Sequence, residues 1–304
     1  MIAKHSIKGV TWIDIDDPSR EEIIKLREDF EIPDLVAEEL ISKTVRAKVD
    51  AYGDLVYLIL HFPKLDHKRQ NASEIEVDFI ITKDSVVTVH YEPLPALHRV
   101  DEHIASIGPL SNETSGSFHA GHLFFAIVRQ LYRSISHELT DMSPMLSLIE
   151  KDIFRGKEEV MVHEISSTNR VLLDVRQAIR FHHDMIKSFE IPALSFYGND
   201  YAYYISSLLG EYGKVENILN GHRDILYDLR DTNNSLLTTK TNETMKVLTI
   251  MTFIFLPMTL VAGIFGMNTN FSLIASKKDF LLVLLSMVVI GTIMFLYFKE
   301  KRWL

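Results

Sequence analysis

Six residues of one apolar segment share a helical face: Met245, Leu248, Thr252, Leu256, Thr259 and Gly263, at successive steps of 3, 4, 4, 3 and 4. The other faces of this segment are almost all Ile, Phe, Val and Met, and no charge occurs between Val247 and Asn268. The stripe therefore sets two hydroxyls and a glycine into a run that is otherwise hydrocarbon. Lipid would leave those groups unpaired, so the stripe must face protein or water. Gly266-Met267-Asn268 closes the run with a side-chain amide. Asp231, fourteen residues before Met245 and so two heptads down the same seam, adds a carboxylate. These groups are oxygen donors, suited to water or to a hard cation, and none is a nucleophile with a base beside it.

Other chemistries find little support. There is no cysteine, hence no disulfide framework and no Cys-based metal site, in keeping with a reducing compartment. Of the thirteen histidines none has a metal-ligand spacing. His182 and His183 are adjacent and point about 100° apart on a helix. His137-Glu138 and His163-Glu164 lack the second histidine of the zinc-protease pattern, and neither GxxxxGK nor GxGxxG occurs. No enzymatic residues and no bound cofactor are expected.

The elements that must carry the stripe follow from hydropathy. Val247 to Phe265 would span about 28 Å as a helix, matching a hydrocarbon core of about 30 Å. A second uncharged stretch, Phe280 to Phe298, lies between Asp279 and Lys299. Two spans place both chain ends on one side. Lys240 and Lys246 before the first span, with Lys299, Lys301 and Arg302 after the second, make that side cytoplasmic. The N-terminal residues lack an apolar core of signal-peptide length, so the soluble part is expected to stay in the cytoplasm. Charge divides unevenly. Residues 247–304 hold five Lys/Arg and two Asp/Glu, a balance of +3, which leaves −12 of the total −9 on residues 1–246. An acidic soluble part argues against nucleic acid as a partner and is compatible with cations.

Upstream, residues 7 to about 105 read as mixed α/β. Gly9 to Ile15, Leu55 to Leu60, Ile75 to Ile81 and Ser85 to Tyr91 read as strands, the last two joined by Thr82-Lys83-Asp84. Asp17-Pro18-Ser19 with Glu21-Glu22 starts one helix, and Pro33-Asp34 opens another through Ile41. The order β-α-α-β-β-β predicts a sheet covered by helices. From about Ser117 the period becomes helical. Ile127, Leu131, Ile135, Leu139, Met142, Leu146, Ile149 and Ile153 predict one long helix, broken at Arg155-Gly156-Lys157. Met161 to Ile186 predicts a returning helix, interrupted at Pro192 and at Gly198-Asn199. A third helix is expected from about Asp200 through Phe265, about 65 residues and about 100 Å long. The expected domains are 1–116 (α/β), 117–245 (long helices and stalk) and 246–304 (two spans).

The apolar span with Pro257 inside it, the Gly266-Met267-Asn268 that follows, and the ending Lys299-Glu300-Lys301-Arg302-Trp303-Leu304 together resemble the CorA family of magnesium transporters. Trp12-Ile13-Asp14, Arg46-Ala47-Lys48-Val49-Asp50 and Thr88-Val89-His90 resemble that family's amino-terminal domain. The resemblance covers essentially the whole chain, most tightly Asp231 to Asn268. It implies a homo-oligomer in the membrane, a pentamer, that passes Mg²⁺ and also Co²⁺ or Ni²⁺ into the cytoplasm. It implies Gly266, Met267 and Asn268 as a selectivity filter, and Asp231, Met245, Leu248, Thr252, Leu256, Thr259 and Gly263 as pore lining. Asn268 and Asp231 would meet the ion, and Met267 would pack to hold the loop. Divalent ions bound between cytoplasmic domains gate this family, and Asp66 falls where one such acid is expected; the matching position on the stalk is Ser207, not an acid. Where the family's loop after the signature is often acidic, Thr269 to Ser276 has no acid and Lys277-Lys278-Asp279 follow. A zinc-transporting relative is therefore the alternative, and a membrane-anchored cytoplasmic sensor or scaffold is another.

Overall fold

The computed structural model describes residues 2–44, 46–66, 71–98, 100, 118–267, 277–301 and 303. The chain forms two units, Met1–Arg230 and Asp231–Leu304.

The first unit is built on a six-stranded sheet. Its strands are β1 (Ile2–Ile7), β2 (Val10–Asp16), β3 (Lys48–Tyr52), β4 (Leu55–Asp66), β5 (Asn71–Ile81) and β6 (Ser85–His90), in the order β1-β2-β6-β5-β4-β3. All neighbours are antiparallel except β2 and β6, which pair in parallel with Ile15 opposite Val89. The crossover between them contains α1 (Arg20–Phe30) and α2 (Asp34–Glu39). Ser19 caps α1 through a reciprocal capping box with Glu22, as its position before two acids predicts. The Thr82-Lys83-Asp84 turn is also observed: Thr82 N–H donates to the Ser85 carbonyl at 2.9 Å.

Four strands are legible from apolar content, and two more are present. Both of the added strands lie at the sheet's edges. β1 is largely exposed and β3 only half-buried, so neither shows the apolar alternation of a strand packed on a core. β1 and β2 are joined by Lys8-Gly9, both at positive φ (51° and 90°), the two-residue hairpin geometry that matches strand twist.

Apolar residues of α1 and α2 (Ile23, Leu26, Val36), with Leu40 just past the end of α2, close over Ile13, Ile15, Tyr57, Ile59, Ile80, Val87 and Val89 on one face of the sheet. The other face is covered by helices from the second half of the unit: α4 (Ala120–Thr140), α6 (Glu158–Ile179) and α7 (His182–Tyr197), after the single turn α3 (Pro95–His98), while α5 (Ser143–Phe154) packs against α6. Phe124 stands edge-on to Phe79 at 5.3 Å and meets Phe189 at 4.8 Å, tying α4, β5 and α7 together. His182 is wholly buried there. Its Nε2–H donates to the His61 carbonyl (2.8 Å), and the Tyr132 hydroxyl donates to its Nδ1 (2.9 Å).

Two helix expectations are corrected. The apolar series Ile127 to Ile153 runs through two helices, because Asp141 and Met142 separate α4 from α5 and Pro144 occupies the first turn of the latter. The returning segment is likewise two helices, parted at Arg180-Phe181, and Pro192 lies inside α7 rather than ending it; Gly198 ends it. Apolar spacing persists across such short breaks because both helices of each pair cover the same core. The last long helix is present as expected: α8 is one helix from Ala202 to Gly266, 65 residues, and Gly210, Gly213 and Gly221 do not break it.

The second unit contains the end of α8 and α9 (Lys277–Glu300). Each is long and apolar enough to cross a membrane, and each has only 6 % of its most apolar stretch buried within the chain.

Candidate functional site

Met245, Leu248, Thr252, Leu256, Thr259 and Gly263 all lie on α8, and all are exposed in the single chain. Met245 is 55 % exposed and Leu256 61 %, at positions where apolar side chains in water would be costly. Asp231 is exposed on the same helix. Gly266 is its last residue, Met267 follows with 63 % exposure, and Asn268 lies outside the described residues. Asp66 closes β4, its backbone opposite Asn71, and its side chain is likewise outside the described set. Ser207 is half-buried on α8.

The residues of α8 that are buried or half-buried in this region form a different set: Ile250, Ile254, Pro257, Met258 and Val261. On α9 the matching set is Val283, Ser286, Met287, Ile290, Gly291, Met294 and Phe298. Both recur at helical spacing, and they meet. The Met258 Cε fills the place a Cβ on Gly291 would take, and the rings of Phe253 and Phe298 lie 6.4 Å apart. At about 100° per residue this seam and the stripe centre about 180° apart on α8. The second helix thus covers the back of the first and leaves its stripe open.

The hydroxyls of the stripe have a fixed polarity. Thr252 Oγ1 donates to the Leu248 carbonyl and Thr259 Oγ1 to the Phe255 carbonyl, both at 2.9 Å. A threonine has one proton to give, so each presents only oxygen lone pairs outward. Those lone pairs can accept from the waters around a cation. Pro257 has no N–H, so the Phe253 carbonyl lacks its helical donor midway along the same segment.

The first unit holds several buried ionisable groups of its own. Asp78 is fully buried; burial first, and then the charge of Glu76, push its carboxyl well above the usual range, and the Tyr91 hydroxyl donates to its Oδ2 at 3.1 Å. Glu76 is raised by burial although Thr44 donates to it from N–H (2.6 Å) and Oγ1 (3.0 Å). His90 is opposed by its burial, but hydrogen bonding and charge from Asp14 outweigh that and raise its pKa. His90 ties β6 to β2 through Asp14, while Glu76 and Asp78 tie β5 to Thr44 before β3 and to Tyr91 after β6; in the sequence Asp14 and His90 stand out only through the family resemblance, and Glu76 and Asp78 not at all. Their signal is faint: acids alternating with apolar residues in Glu76-Val77-Asp78-Phe79 read simply as a strand.

Two nearly bare apolar helices, one with a polar stripe turned away from the other, have the length and composition of membrane spans. The family model described as CorA-like Mg2+ transporter protein matches residues 8–302, and the chain belongs to that family. It is therefore a divalent cation transporter of the CorA type and not an enzyme. Among its relatives is the cobalt/magnesium transport protein CorA of Thermotoga maritima, 26 % identical over 97 % of this chain and 83 % of that protein. The putative metal ion transporter YfjQ of Bacillus subtilis is 25 % identical over 96 % of this chain and 89 % of its own length. In fold the chain matches the complete structure of the CorA magnesium transporter from Methanocaldococcus jannaschii, with a TM-score of 0.81, 22 % identity, and 97 % and 92 % of the two chains covered. The full-length CmaX protein gives 0.70, with 18 % identity and 97 % and 89 % covered. The likeness includes the α/β sheet unit, the long helix and the two apolar helices expected from sequence.

Proposed function

We propose that the chain assembles as a homopentamer whose α8 helices surround a pore, with their stripes facing the axis, and that the pore passes Mg²⁺, and also Co²⁺ or Ni²⁺, into the cytoplasm. The observation that carries this is the opposition of stripe and seam. A helix whose apolar back is covered by α9 and whose hydroxyl-bearing front is bare needs a polar space in front of it, and a closed ring of copies supplies one. Met245 and Leu248 form apolar rings that constrict the cytoplasmic half and gate by dewetting. Thr252 and Thr259 offer acceptors to the hydration water. Mg²⁺ releases its water reluctantly, so a neutral, water-holding wall suits it better than carboxylates that would bind it tightly.

In this reading Gly266-Met267-Asn268 is the filter at the outer mouth. The Asn268 amide oxygens hold the hydrated ion, and the free carbonyls at the C-terminal end of α8 favour a cation. Asp231 forms an acidic ring at the inner mouth. Asp66 contributes to a divalent-ion gate in the cytoplasmic unit, where Mg²⁺ acts as regulator as well as cargo. Both termini are cytoplasmic, and the membrane potential, worth about 2.3 kcal/mol per charge per 100 mV, drives entry.

The test is ion uptake into proteoliposomes by the wild type and Asn268→Ala, with Mg²⁺, Co²⁺, Ni²⁺ and Zn²⁺ offered separately. Mg²⁺ uptake by the wild type that is lost in Asn268→Ala supports the filter and the cargo. Uptake of Zn²⁺ alone, following pH, would move the protein to a zinc-transporting role. Negligible uptake of every ion by both proteins would leave the two spans as an anchor.

A further inference from the structure

Gly291 lies at the centre of the seam, and its missing side chain is what lets the two helices meet there. Among the described residues of α9 only Gly291 and Phe298 are buried. A Cβ at 291 would overlap the Met258 methyl, so that methyl occupies a socket made by the glycine. Met258 directly follows Pro257, where α8 has lost one backbone hydrogen bond and is easiest to bend. A weakened rung and an anchor thus coincide at one level of the helix, on the side away from the stripe.

We propose that Met258 and Gly291 form a fixed fulcrum about which the two halves of the stripe move. This rests on the pore reading above. With the back of α8 held at Met258 and its ladder interrupted at Pro257, a bend rotates Met245 and Leu248 on one side against Gly263 and Gly266 on the other. Met245 is twelve residues from Pro257, about 18 Å, and Gly266 is nine, about 13.5 Å. A bend of about 10° moves the Met245 ring by about 3 Å per copy at that lever length, and so changes the opening across the axis by about 6 Å. That is enough to admit or exclude water at an apolar constriction. Met258 and Gly291 touch no ion; they position the residues that do. Met suits the role because its unbranched thioether fits an irregular socket and its methyl can pivot there.

Two sets of variants test this. Gly291→Val fills the socket and Met258→Ala empties it, while the double change keeps the total volume nearly constant. Each single change is expected to lower the Mg²⁺ uptake rate at least tenfold per assembled oligomer counted by size-exclusion chromatography. The double change is expected to restore it to within threefold of wild type. A purely structural contact would reduce the amount of oligomer and leave the rate per oligomer alone, and that result would overturn the fulcrum. The native chain has no cysteine, so Met258→Cys with Gly291→Cys gives a clean pair. A cross-link at a fixed pivot is expected to form and to leave uptake within twofold of its reduced state. Cross-linking that abolishes uptake would mean that the helices slide past each other there, and would overturn the proposal. Failure of the pore reading looks different: the wild type itself would carry no ion.

Discussion

Thr252 and Met251 are neighbours on α8, about 1.5 Å apart in height and about 100° apart in direction. Both are exposed in the single chain, Met251 to 52 %. Exposure in one chain therefore does not separate them, but the pore reading does. In that reading Thr252, at the centre of the stripe, faces water. Met251 faces lipid or the apolar flank of a neighbouring copy. An aspartate at the middle of a membrane helix costs about 2.5–3.5 kcal/mol. Position 251 lies about 7 Å from the span's midpoint, still within a half-thickness of about 15 Å, so about 2 kcal/mol per subunit is a fair figure. That is about thirty-fold per copy, and about 10 kcal/mol summed over the five copies of the proposed pentamer.

Met251→Asp is accordingly expected to lose at least 90 % of the assembled protein recovered from membranes, while Met251→Ala, which removes bulk without adding charge, is expected to stay near wild type. Thr252→Asp is expected to assemble to within threefold of wild type, since its carboxylate meets water and cations. It should also transport Mg²⁺ more slowly, because a ring of carboxylates binds a divalent ion too tightly to release it quickly. Oligomer recovery by size-exclusion chromatography and uptake by proteoliposomes read the two effects separately. Equal loss of assembly in Thr252→Asp and Met251→Asp would refute the orientation of the stripe, as would loss in the first and tolerance of the second.

The buried ionisable groups of the first unit make two pH predictions of opposite sign. Burial raises the Asp78 carboxyl, so the folded state holds a proton that the unfolded state releases above its ordinary pKa of 3.8; stability is full below that value and declines as pH rises through the raised one. Asp78→Asn, whose amide can donate to Glu76, is expected to flatten that decline and to raise the unfolding temperature at pH 8, measured by thermal unfolding in detergent. An unchanged pH profile would remove Asp78 as its source. Burial, and then His122, push His119 down to about 4, and burial pushes His182 down to about 3. The unfolded chain takes up protons first there, so stability is lost as pH falls from about 6.5 toward those values. His119 Nδ1 accepts from the Gly121 N–H at 3.2 Å to cap α4, and the protonated ring cannot do so. Amide exchange in the first turn of α4, corrected for its intrinsic rate, is expected to rise below pH 6; His119→Asn, an acceptor at every such pH, should abolish the rise.

The sequence reveals structure wherever the chain changes medium, and conceals it where the medium is uniform. In the first unit, β4, β5 and β6 are buried and apolar, and they read as strands. β1, with Lys4, His5 and Ser6, and β3, with Lys48 and Asp50, meet water along one edge, and their pairing depends on neighbours far along the chain. The breaks at Asp141-Met142 and Arg180-Phe181 were hidden for the converse reason: apolar spacing continues across them over one shared core, and Pro144 is a helix-start signal as much as a breaker. In the membrane segment the contrast inverts. Lipid and the α9 seam are both hydrocarbon, so Ile250, Ile254, Met258 and Val261 look the same in sequence as Phe253 and Leu260, which are largely exposed. Only the polar side of α8 stands out, through two threonines and a glycine. Hydropathy thus finds the front of the helix and is blind to its back, and the back is where Met258 seats on Gly291. A single small residue on the second span, with no polarity of its own, leaves room for Met258 on the side of the first span opposite its oxygen atoms.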